Sequence, residues 1–106
     1  MNELNLEALQ KLCESGKLAW SVHAMERLQE RGITKADVIN VICHGEIIEQ
    51  YPDAFPYPAC LILGNGLNEL IVHVVCGSNG AILKIITAYY PDDETFGKSG
   101  KIRKER

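Results

Sequence analysis

"LIVHVVCGSNGAILKIITAYY", residues 70–90, decides the fold. Two runs rich in Ile, Val and Leu flank Gly77-Ser78-Asn79-Gly80. Such runs, bounded by Gly, Asn and Ser, read as strands. A short connector of this chemistry joins antiparallel neighbours. Working outward, "ACLILG" (59–64) is a strand of the same kind, joined through "GNGLN" (64–68) to "ELIVHVVCG" (69–77). The three runs 59–64, 69–77 and 82–90 therefore predict an antiparallel meander. "EIIEQY" (46–51) adds a fourth strand before it. "PDAFPYP" (52–58) holds three of the chain's four prolines and interrupts regular structure.

Upstream of residue 46 the apolar period changes. "LNLEALQKLC" (4–13) carries Leu4, Leu6, Leu9 and Leu12 at helical spacing, with Gly16 as the stop. A second helix spans 21–31. Ser21 is its N-cap, Val22, Met25 and Leu28 form its apolar stripe, and Gly32 follows its end. A third, 34–44, opens on a Thr34-x-x-Asp37 capping signal and carries Val38, Ile39, Val41 and Ile42, with Gly45 as a C′ stop. Helices first and strands second predict an α+β domain, with N-terminal helices packed on one face of a four-stranded antiparallel sheet. At 106 residues the chain is one domain: an N-terminal helix (1–16), a body (17–93) and a basic tail (94–106).

The net charge is −3, from eleven basic against fourteen acidic residues. That argues against indiscriminate coating of nucleic acid, which draws on a basic surface. The tail differs from the body: Lys98, Lys101, Arg103, Lys104 and Arg106 face only Glu105 between residues 95 and 106. The four cysteines form no C-x-x-C pair and sit in apolar contexts. Reduced thiols in a cytoplasmic protein are the expectation, as is the lack of a signal peptide on the acidic, amphipathic start. No apolar run reaches the roughly 20 residues that span a bilayer, so no membrane association is expected.

The candidate chemistry begins on the second helix. His23, Arg27 and Arg31 are four apart and drift only about forty degrees per step, so they form one ridge. Like charges at this spacing repel by a few tenths of a kcal/mol. Glu26 and Glu30 can offset this, giving an ordinary solvated face; the other reading is a cradle for phosphate. Arginine's planar fork suits phosphate, and histidine moves protons near neutral pH. His73 lies mid-strand on the face of Ile71 and Val75, where an imidazole needs a hydrogen bond or a function. Lys84 is the one charged residue between Gly80 and Tyr90, on the strand expected to neighbour that of His73. Tyr89 ends that strand as a candidate base-stacking or phosphate-positioning group. The scattered His23, His44 and His73 have no metal-ligand spacing, so neither metal nor cofactor is called for.

As a set, "SVHAMERLQERGIT" (21–34), "VICHGEIIEQYP" (41–52), "PACLILGNG" (58–66), "LIVHVV" (70–75) and "IITAYYPD" (85–92) resemble a small bacterial family called domain of unknown function 4258, over about residues 18–93. That family is similar to the RelE-like and barnase/colicin group of compact ribonuclease folds, whose members include toxins of toxin–antitoxin pairs. His23, Arg27 and Arg31 match its helical motif, His73 its strand histidine, and Thr87, Tyr89 and Pro91 its closing string. Arg103 lies where RelE-like toxins place cationic residues, by position and not by motif. The resemblance implies a metal-independent endoribonuclease cleaving single-stranded RNA, ribosome-associated or free, with a cognate antitoxin protein as partner. On this reading His23 and His73 are acid and base, Arg27 and Arg31 hold the phosphate and stabilise the transition state, and Tyr89 and Arg103 bind RNA; Lys84, which matches no family motif, joins them as an RNA-binding cation from its strand position alone. The alternatives are a non-catalytic RNA-binding or protein-interaction module on the same scaffold, and a structural role in which the arginines pair with Glu26, Glu30 or Asp37.

Overall fold

A computed structural model describes residues 3–91 of the chain. The elements run α1 (Leu6–Glu14), β1 (Leu18–Trp20), α2 (Val22–Arg31), α3 (Lys35–His44), β2 (Glu46–Tyr51), β3 (Ala59–Asn65), β4 (Ile71–Ser78) and β5 (Leu83–Tyr89). The fold is α+β, as the order of apolar periods predicts. The sheet, however, has five strands, in the order β1-β5-β4-β3-β2. β2 to β5 form the expected antiparallel meander. The added strand, β1, pairs parallel to β5, with Leu18, Ala19 and Trp20 opposite Leu83, Lys84 and Ile85. Three residues are too few to show a two-residue period, and the partner lies some 65 positions along the chain, so no local pattern announces this strand.

The helices are built as their termini dictate. Asn5 accepts from the Ala8 N–H at the start of α1, and Ser21 from the Ala24 N–H at the start of α2, each at 3.0 Å. Gly32 ends α2 in the left-handed region at φ 68°, and the Ile33 N–H returns to the Leu28 carbonyl at 2.9 Å. That is a Schellman closure, which a side chain with a Cβ resists. Thr34 and Asp37 form a reciprocal capping box on α3. Gln10 on α1 donates to the carbonyls of Ile42 and Cys43, closing the far end of α3.

The core lies between the helices and one sheet face. Leu9 and Cys13 (α1), Leu28 (α2) and Val38, Val41 and Ile42 (α3) meet Cys60, Ile62, Val72, Val74, Cys76, Leu83, Ile85 and Ala88. The stripe read on α2 shifts by one position. Ala24 and Leu28 are buried, Met25 is half-buried, and Val22 is 76% exposed. The end of β1 delivers the chain into α2 beside the sheet edge, which turns Val22 outward.

Two bulges decide which side chains occupy the other face. In β5 the partners of Val75 and Cys76 are Thr87 and Ile85, so Ile86 is the extra residue. In β2 the pairing skips Ile48 between Ile47 and Glu49. A bulge resets the alternation beyond it. Lys84, Thr87 and Tyr89 thereby join His73 and Gly77 on the face turned away from the core. The link between β2 and β3 contains a cis Phe55–Pro56 peptide bond. Its ends are held by the Ala54 N–H on the Tyr51 carbonyl and the Ser78 N–H on the Pro58 carbonyl, each at 3.1 Å.

Candidate functional site

His23 stands on the first turn of α2 with its side chain exposed. It lines a pocket of about 240 Å³. Ser21 and His23 form one wall, Ala54, Phe55, Pro56 and Tyr57 a second, and Gly77, Lys84 and Ile86 the floor. The bulge at Ile86 makes this floor, since it brings Lys84 onto the face that His23 overhangs. Register places Lys84 between Ala19 and Gly77. Among the described residues no carboxylate lines the pocket. The N-terminus of α2 adds its partial positive charge to the same side.

The rest of the ridge does other things. Arg27 reaches Glu30 at 3.3 Å, with the two side chains 39% and 63% exposed, an arrangement of the solvated kind that stabilises little. Arg31 takes no carboxylate among the described residues. Its Nη1 donates to the Thr87 hydroxyl at 3.0 Å and the Ala88 carbonyl at 2.9 Å, tying the end of α2 to β5. The guanidinium is thereby oriented by neutral oxygens.

His73 stands apart from this pocket. It is fully buried, opposite Leu63 and Tyr89, and its ring meets the Tyr89 ring edge-on at 5.5 Å between centroids. His73 and Gly77 lie four residues apart on β4, which is about 13 Å of strand. The expectation that His73 and Lys84 are neighbours is therefore corrected by the hairpin register, which sets Lys84 opposite Gly77 and His73 opposite Tyr89. The two histidines share a side of the sheet and not a cavity. Tyr89 is half-buried against His73. Arg103 lies outside the described residues.

The cysteines offer no nucleophile to this site. All four are free thiols, and Cys60 and Cys76 face each other across β3 and β4 on the core side with their sulfurs 3.9 Å apart. Burial, then the neighbouring Cys43, pushes the Cys13 thiol up to about 11.

The pocket wall at 54–57 is missed by the sequence reading, which takes "PDAFPYP" as a break in structure and no more. The available signal is an aromatic residue on each side of Pro56 in a turn otherwise built of prolines, Asp and Ala.

A family model described as "Domain of unknown function (DUF4258)" matches residues 20–90. The chain belongs to that family. The matched stretch of this DUF4258 protein holds His23, Arg27, Arg31, His73, Lys84 and Tyr89, together with both pocket walls; α1 and Arg103 fall outside it. No curated protein and no solved structure matches the chain. Among the described residues no helix is long and apolar enough to cross a membrane.

Proposed function

We propose that this DUF4258 protein is a metal-independent endoribonuclease of the toxin type, acting on single-stranded RNA. The carrying observation is that His23 and Lys84 line one pocket in which no carboxylate lies among the described residues. His23 removes the proton from a ribose 2′-hydroxyl. The 2′-oxygen bonds to the adjacent phosphorus and the bond to the 5′-oxygen breaks, leaving a 2′,3′-cyclic phosphate. The Lys84 ammonium and the start of α2 offset the extra negative charge on the pentavalent phosphorus, which is where fixed charge accelerates a reaction most. Lys84 gives its proton to the departing 5′-oxygen. Arg31, held by Thr87 and Ala88, extends the cationic track along β5 for the next phosphate, and Arg27 flanks it. His73 and Tyr89 support the sheet face beneath the track. The kinship with compact RelE-like ribonucleases belongs to the same proposal, as do a cognate antitoxin partner and action on the ribosome or off it.

The separation of His73 from the pocket favours a second reading, an RNA-binding module without catalysis. One assay separates the two. Purified protein is incubated with a single-stranded RNA in the presence of a chelator, alongside His23→Ala and Lys84→Gln variants. The enzyme reading expects cyclic-phosphate products, with cleavage falling about 10²–10⁴-fold on removal of His23. Undiminished cleavage by His23→Ala removes the catalytic role. Binding without cleavage by the parent establishes the module instead.

A further inference from the structure

We infer that the loop of residues 53–58 is a nucleobase platform, with Phe55 stacking on an unpaired base whose phosphate lies at His23 and Lys84. The inference rests on the RNA reading above and names what the neutral side of that pocket recognises. Phe55 is 94% exposed. A lone exposed apolar side chain is ordinary and calls for no explanation. This one belongs to a pocket wall with Tyr57, in the same pocket as Ile86, itself 41% exposed, His23 and Lys84. An aromatic face and positive charge in one pocket is how proteins hold single strands, through the π-face of a base and its phosphate.

The loop is placed rather than left to drift. Its two ends are hydrogen-bonded to β2 and β4 through Ala54 and Pro58. Gly77 beneath it lets the chain lie close: a Cβ there would stand 3.1 Å from the Pro58 carbonyl and 3.6 Å from the Tyr57 Cβ. A cavity of about 240 Å³ is smaller than a site for a drug-sized ligand and suits one planar base beside one phosphate.

The test is equilibrium binding of two 2′-O-methyl oligomers of equal length, one of uridylates and one abasic, neither of which can be cleaved by attack of the 2′-oxygen. Phe55→Ala is expected to weaken the uridylate oligomer by roughly 5- to 150-fold, the effect of one aromatic–base stack, and to leave the abasic oligomer unchanged. Lys84→Gln weakens both alike. Phe55→Trp retains affinity, and its emission is quenched by the uridylate oligomer alone; the native Trp20 lies outside the pocket. Wild-type affinity in Phe55→Ala, with Lys84→Gln impaired, overturns the platform and leaves the RNA reading standing. Failure of the parent chain to bind either oligomer overturns both.

Discussion

Replacing Asp37 with asparagine keeps the shape of the side chain and removes its charge. In the native chain Oδ2 accepts from the Thr34 N–H at 2.9 Å, closing the capping box, and Oδ1 accepts from the Leu67 N–H at 2.8 Å, anchoring the turn between β3 and β4. The residue is 6% exposed. Asparagine has one carbonyl oxygen, so one of these two N–H groups meets an amide NH₂ instead of an acceptor. A hydrogen bond to a charged group contributes about 1.5–3 kcal/mol, and the surviving bond loses its charge assistance. The expected loss is about 2–4 kcal/mol, a large part of the roughly 5–15 kcal/mol of an ordinary domain. Burial raises the Asp37 carboxyl, and the hydrogen bonds from Thr34 and Leu67 outweigh it, so the group titrates below its ordinary value. A depressed folded pKa means that the contribution is complete above the unfolded value of about 3.9 and is lost as pH falls through the folded one. Urea unfolding of parent and variant at pH 7, and in steps below pH 4, reads both effects. The gap should be widest at neutral pH and narrow in acid. A variant within about 0.5 kcal/mol of the parent at pH 7, the ordinary scatter of a surface change, or a gap that holds constant into acid, would refute the reasoning.

Other outcomes follow from the same structure. A Cβ at Gly45 would lie 2.5 Å from the Val41 carbonyl and closer still to that of Leu63, both main-chain atoms, so Gly45→Ala should cost about 3 kcal/mol. Gly32→Ala meets nothing within 4 Å and should cost only the roughly 1–2 kcal/mol of left-handed backbone, a contrast that paired urea melts will show. The two histidines should separate in stability as they do in space. His73→Ala leaves a hole beside Tyr89 and should lose about 3 kcal/mol, whereas exposed His23→Ala should stay within about 0.5 kcal/mol. Equal losses for the two in thermal denaturation would contradict a buried His73 and an exposed His23.

Elements with their own periodicity or punctuation were legible in the amino-acid string: three helices, two of them with their caps at Ser21 and Thr34, and four antiparallel strands. Local sterics and hydrogen bonding write these features within a few residues, as in the left-handed Gly32. The α2 ridge and the face of His73 were legible for the same reason. Gly45 shows the limit. It reads as a helix stop, yet its φ is −94°, an ordinary value, and what demands glycine there is the approach of β3 from nearly twenty residues away.

What only tertiary structure decided are the properties that depend on pairs of distant segments. β1 exists because β5 offers it an edge. The bulge at Ile86 and the hairpin register set Lys84 beside His23 and leave His73 about 13 Å along the sheet. Periodicity assigns a side chain to a face, but a position along that face depends on register, which bulges and turns set jointly. The 54–57 wall became part of the pocket for the same reason: the hydrogen bonds at its ends, one to Ser78 of β4, bring a proline-rich turn over a floor built from β4 and β5.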